Sequence, residues 1–142
     1  MGNGPTLYER VGGRAFFARL VDTFYEGVAA DDVLAKLYPE HPDFTGARHR
    51  LTLFLVQYWG GPTDYSAERG HPRLRMRHLR FTIGTDQRDR WLTHMTGAVG
   101  AVTRPLADGD EIAAELLDYF RTTAEHLRND TGLPITSPSF RT

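Results

Sequence analysis

The chain has 142 residues, with 17 Lys and Arg against 18 Asp and Glu and a formal net charge of −1. That suits one domain with a single sizeable core, and it offers no global attraction for nucleic acid or an anionic membrane. There is no cysteine, which excludes disulfides, thiolate catalysis, Cys-ligated zinc and thioether-attached prosthetic groups. Met1 to Thr6 lack the basic and apolar regions of a signal peptide, and no apolar run approaches the roughly 20 residues that span a bilayer. A cytoplasmic location is therefore expected. Every basic residue except Lys36 is Arg, a residue suited to bidentate pairing with carboxylates and phosphates.

Helical periodicity dominates the chain. After the Gly12-Gly13 break, Phe17, Leu20, Val21, Phe24 and Val28 form one stripe of a helix ending near Ala30. Asp31 or Asp32 can cap a short second helix through Val33, Leu34 and Leu37, which Pro39 stops. A loop from His41 leads to a third helix with Ala47, Leu51, Phe54, Leu55 and Tyr58 on one face, ended by Gly60-Gly61-Pro62. The polar stretch from Thr63 to Pro72 reads as a long loop. Arg73 to Phe81 alternates Arg with Leu74, Met76 and His78 or Leu79, a pattern compatible with either a strand or a helix. The helical stripe returns at Trp91, Leu92, Met95, Ala98, Val99 and Val102. A last helix, from about Asp110 to Arg128, turns Ile112, Leu116, Leu117, Phe120, Ala124 and Leu127 inward. With no internal repeat and no convincing strand pair, the expectation is one all-α domain over residues 1–142, its core about 7–128 and a flexible tail at 129–142.

The six histidines, His41, His49, His71, His78, His94 and His126, form no H-E-x-x-H motif and no cluster of di-iron spacing. Phosphate-binding glycine motifs and the G-x-S-x-G elbow are also missing. What stands out is a histidine in an Arg-rich segment and many aromatics with polar tips. Haem would use both: a neutral imidazole for iron, cations for its propionates, and Tyr or Trp as buried rings that keep a hydrogen-bond donor. Taken alone, each feature also has a plain reading. A lone histidine is more often structural, Tyr25, Tyr38 and Trp91 sit at ordinary core spacing, and the Arg run is a solvated face or a phosphate-backbone contact.

The segment Tyr58-Trp59-Gly60-Gly61-Pro62, Tyr65-Ser66 and Arg69-Gly70-His71-Pro72-Arg73-Leu74-Arg75-Met76-Arg77-His78 resembles the signature of group II truncated haemoglobins. Leu7-Tyr8, Val11-Gly12-Gly13, Phe24-Tyr25, Leu37-Tyr38-Pro39 and Arg88-Asp89-Arg90-Trp91-Leu92 resemble the same family, in the same order. The resemblance implies a truncated globin-like, two-over-two helical sandwich enclosing noncovalent haem b. It implies His78 as the axial iron ligand, and Tyr25, Tyr38 and Trp91 as distal residues that stabilise a bound ligand. Ala47, Leu51, Phe54, Leu74 and Phe81 would line the haem pocket, and the first three share one helical face by their own spacing. Arg50, Arg77 and His71 are candidates for the propionates. Ala47 stands where many globins carry a distal histidine.

The function implied is reversible binding of oxygen, carbon monoxide, nitric oxide or similar small ligands, with slow release. An alternative on the same fold is a redox enzyme, catalysing nitric oxide dioxygenation or peroxidase-like turnover with an unknown reductase. A haem-free module using Arg73, Arg75, Arg77 and Arg80 on nucleic acid is disfavoured by the net charge. No membrane partner is expected, and self-association is left open.

Overall fold

Gly12 and Gly13, both at φ +92°, break the chain between a first helical turn and the first long helix, a backbone conformation that side chains with a Cβ rarely adopt. The computed structural model describes residues 4–38, 41–69 and 84–127. Helix α1 (Leu7–Arg10) begins at a capping box: Thr6 Oγ1 accepts from the Glu9 amide at 3.2 Å, and Glu9 Oε1 accepts from the Thr6 amide at 2.9 Å. Helix α2 (Arg14–Ala29) buries the expected stripe, with Phe16 and Tyr25 added to it. Asp31 Oδ1 accepts from the amides of Val33 and Leu34 and so caps α3 (Asp32–Ala35). Of the two capping candidates, Asp31 is the one used.

Helix α4 (Thr45–Tyr58) follows Asp43, whose Oδ1 accepts the Thr45 amide at 2.9 Å. Its burial is broader than one stripe: Thr52, Leu53 and Val56 are buried along with Phe54 and Leu55, while Leu51 and Tyr58 are only partly covered. The reason is that α4 has neighbours on more than one side, packing on α2 and on the following helix.

That following helix corrects the expectation of a loop from Thr63 to Pro72. Residues Asp64–Arg69 form α5. Two ties back to α4 override the polar composition. Gln57 Nε2 donates to Ser66 Oγ at 2.8 Å while its Oε1 accepts the Ser66 amide at 3.0 Å. Tyr65 is buried against Phe54, ring centres 5.4 Å apart. The remainder of the expected loop, and the Arg73 to Phe81 segment with its strand-or-helix ambiguity, lie outside the described residues, as does the tail.

Helix α6 (Thr85–Thr103) and helix α7 (Gly109–Leu127) complete the chain. They pack on each other, α2 packs on α4, and α2 also packs on α6. Two helix pairs thus lie one over the other, with Phe16, Phe17, Phe24, Met95, Ile112, Leu116 and Phe120 fully buried in the core. The all-α expectation is met, and no strand occurs among the described residues. At one corner Arg10 gathers Asp108, Glu111 and Glu115 at 3.3, 2.7 and 2.9 Å, tying α1 to the start of α7.

Candidate functional site

Three elements deliver one aromatic side chain each to a common spot. Tyr25 comes from α2, Tyr38 from the turn after α3, and Trp91 from α6. Phe24 packs edge-on to Trp91 at 5.2 Å, and the Tyr25 and Tyr38 rings meet edge-to-face at 5.5 Å. Phe44, at the start of α4, closes the group, its ring centre 5.8 Å from Tyr25 and 5.5 Å from Tyr38. Trp91 is backed by Phe120 of α7 at 5.7 Å.

The polar tips of the trio turn toward one another. The Tyr38 hydroxyl has polar contacts from both the Tyr25 hydroxyl and the Trp91 indole. Burial raises the Tyr38 hydroxyl above its ordinary pKa, and those two contacts lower it only in part. Tyr25 is pushed well above its ordinary value, by burial first and then by the Tyr38 hydroxyl, with Arg50 and Arg48 pulling the other way. Both phenols are therefore neutral around neutral pH. Trp91 Nε1–H can only donate, so Tyr38 is the acceptor in that contact. The Tyr25 and Tyr38 hydroxyls also meet, and either phenol can donate to the other.

The α4 residues frame this spot. Ala47 and Phe54 are buried and Leu51 is partly covered. The Arg48 guanidinium lies 5.9 Å from the Tyr25 ring centre and pairs with Asp22 at 3.0 Å. Arg50 is half-buried, and its charge reaches the Tyr25 hydroxyl. Of the expected site residues, Tyr25, Tyr38 and Trp91 are brought together, and Ala47, Leu51, Phe54 and Arg50 lie on α4. His78, His71, Leu74, Arg77 and Phe81 lie outside the described residues. Among the described residues no group of three His, Cys, Asp or Glu could hold a metal ion, and no helix is long and apolar enough to cross a membrane.

Phe44, Arg48, Phe24 and Phe120 also shape the site, though sequence reasoning assigned them no place in it. Phe44 and Arg48 carried no usable signal, one at a helix border and the other an Arg among many. Phe24 and Phe120 were legible only as core.

Residues 6–126 match the bacterial-like globin family. The chain belongs to that family. Within these globins it is similar to a group 2 truncated haemoglobin of Bacillus subtilis, with 40% identity over 91% of each chain. Among solved structures it resembles a thermostable haemoglobin from the actinobacterium Thermobifida fusca, with 50% identity and a TM-score of 0.83, covering 89% of this chain and 99% of that one. It also resembles a truncated oxygen-avid haemoglobin from Bacillus subtilis, with 39% identity and a TM-score of 0.78, covering 88% of this chain and 100% of that one. The two-over-two arrangement of α2 with α4 and α6 with α7 is thus the truncated-globin fold.

Globins carry haem, and the residues present suit it. Tyr38, Leu51 and Trp91 are only partly covered by the protein, as side chains that flank a flat apolar macrocycle would be. Beside them Ala47 is small and buried, and the donors of the trio converge in apolar surroundings. A cationic side chain, Arg50, stands on the same helix.

Proposed function

We propose that this globin binds haem b noncovalently through His78 and reversibly holds oxygen and other diatomic ligands, releasing them slowly. The observation that carries the reading is the meeting of Tyr25, Tyr38 and Trp91, from three separate elements, with their polar tips turned inward and both phenols kept protonated by burial. The oxygen avidity of the Bacillus subtilis relative agrees with it.

When bound, haem supplies the iron that takes the diatomic ligand. The protein's part is to orient donors. Tyr25 and Trp91 hold the Tyr38 oxygen between them, so the phenol protons are presented in few directions rather than sampled over free rotors. Preorganised donors act at little reorganisation cost. A hydrogen bond to a partly charged acceptor contributes about 1.5–3 kcal/mol, so one such bond slows ligand escape roughly tenfold to a hundredfold. Leu51, Phe54, Leu74 and Phe81 would cover the macrocycle, and Arg50, Arg77 and His71 would answer its propionates.

An absorption spectrum of the ferric, reduced and carbon monoxide-treated protein tests the reading. A Soret band that shifts at each step supports it, and failure to take up hemin refutes it. His78→Ala abolishes the proximal bond, and an unaltered spectrum in that variant reassigns the ligand. Trp91→Phe speeds oxygen dissociation, and an unchanged rate removes its donor role.

A second reading, nitric oxide dioxygenation or peroxidase-like turnover, has one observation in its favour: Tyr25 and Tyr38 are buried phenols that keep their protons at neutral pH and can donate to a peroxide. Turnover with a reductant no faster than free haem dismisses it.

A further inference from the structure

The trio is braced from outside by a second cluster. His94 lies three residues beyond Trp91 on α6, so the two project one helical turn apart. Its Nε2 is 2.9 Å from Asp31 Oδ2. Asp31 Oδ1 in turn lies 3.2 Å from the Arg90 guanidinium and 3.1 and 3.4 Å from the amides of Val33 and Leu34. The Asp31 side chain is only 9% exposed. The imidazole rests on Gly27 of α2, where a Cβ would stand 2.5 Å from Nδ1. One imidazole and one carboxylate thus join α2, α3 and α6, the elements that carry or lead into Tyr25, Tyr38 and Trp91.

We propose that Asp31 and His94, seated on Gly27, are positioning residues that set the reach of the Tyr38 hydroxyl to the Trp91 indole, a role that rests on the ligand-binding reading above. The backbone supplies the lever. Amide-to-carbonyl bonds run from Ala35 to Asp31 at 2.8 Å, from Leu37 to Leu34 at 3.0 Å and from Tyr38 to Ala35 at 3.2 Å. A displacement of Asp31 therefore carries Tyr38 with it. Helix α3 has four residues and buries only Leu34 and Ala35, too little to hold its own position, because short helices depend on tertiary ties. The carboxylate provides such a tie to α6, by charge-assisted contact with Arg90 and by the hydrogen bond with His94.

Four variants separate positioning from plain stapling. Asp31→Asn keeps an oxygen that caps α3 but turns an amide toward His94. His94→Ala removes the donor, Gly27→Ala pushes the imidazole from its seat, and His94→Gln keeps a nitrogen donor at similar reach. The readouts are the C–O stretching band of the carbon monoxide complex, the oxygen dissociation rate, and the near-UV circular dichroism of the full chain. The first three variants shift or split the C–O band, speed oxygen loss about three- to tenfold and alter the aromatic dichroism, whereas His94→Gln stays near the parent on all three. Unchanged band, rate and dichroism alongside a lowered melting temperature would overturn the proposal and leave a structural staple. A parent chain that takes up no haem refutes the ligand-binding reading instead. The dichroism then decides the positioning alone: unaltered aromatic signals in Asp31→Asn and His94→Ala overturn it.

Discussion

Phe120 separates two aromatic clusters of identical make-up, each with two tyrosines and one tryptophan. Its ring lies 5.7 Å from Trp91 on one side and 5.4 Å from Tyr119 on the other. In the first cluster, Tyr25, Tyr38 and Trp91 turn their polar tips together, with the Tyr38 hydroxyl in contact with the other two. In the second, Tyr58, Trp59 and Tyr119 pack by their rings. Tyr58 and Tyr119 lie 4.2 Å apart at a tilt of 31°, and the Trp59 Nε1 is buried without an acceptor among the described residues. The same inventory thus produces a donor site in one place and packing in the other. What separates them is where the tips point, and that is set by the elements. Three elements converge on the first cluster, whereas Tyr58 and Trp59 are chain neighbours at the end of α4 and face Tyr119 of α7.

Removing the divider is the harshest way to break this comparison. Phe120→Ala empties a fully enclosed site and should cost about 3–5 kcal/mol of stability, measured by urea unfolding. It also loosens the backing of Trp91, so oxygen dissociation rises as well. A loss below about 1 kcal/mol with unchanged dissociation would mean that the two clusters do not share this wall.

A gentler cut removes one hydroxyl from each side. Tyr38→Phe should speed oxygen dissociation roughly tenfold to a hundredfold, because a proton donor within reach of the ligand is lost. Tyr119→Phe leaves the rate within about twofold, since that phenol is raised by burial and has Thr123 and Tyr58 as polar neighbours, away from the Tyr25–Tyr38–Trp91 group. Stopped-flow measurement of both variants checks the contrast. Equal effects would mean that ring packing, not the polar tips, governs release.

The parts legible in the sequence are those decided locally. The stripes of α2, α6 and α7 follow from one face meeting a core, and the cap at Asp31 follows from its position before Val33 and Leu34. Helix α5 was not legible, because its order comes from Gln57 and Phe54 reaching across to Ser66 and Tyr65. Periodicity alone made Tyr25, Tyr38 and Trp91 ordinary core residues, and only the family resemblance singled them out. The brace behind them was invisible in the sequence: Asp31 and His94 are 63 residues apart, and neither carries a motif.

Titration acts on both clusters and on the brace, more weakly at neutral pH than any of these substitutions. Tyr25, Tyr38 and Tyr119 are all raised above the ordinary phenol value, by burial first. A raised folded-state pKa means that the unfolded chain ionises first. Their stabilising contribution is therefore complete below pH about 10 and is lost as pH climbs above it. Asp31 behaves oppositely. Burial alone would raise it, but the His94 hydrogen bond, the Leu34 amide, the Arg90 charge and the Val33 amide outweigh burial and hold it below the ordinary carboxylate value. Its contribution is present above pH about 4 and fades below that. Melting temperatures across pH check both limbs: Tyr119→Phe flattens the alkaline fall and Asp31→Asn flattens the acid one.

The smallest effect is expected at Trp59, and it sharpens the comparison most. A buried donor without an acceptor is a liability of about 1–3 kcal/mol, while exchanging Trp for Phe gives up part of the ring contact with Tyr58 and Tyr119. The two terms oppose each other, so Trp59→Phe should leave stability within about 1 kcal/mol of the parent. At Trp91 the same exchange removes a donor that has an acceptor, and the cost falls on ligand release instead. Urea unfolding and oxygen dissociation of the two variants, measured side by side, test that asymmetry. A large stability loss at Trp59 would mean that its indole nitrogen has a partner after all, and the second cluster would then be organised by its polar tips as the first is.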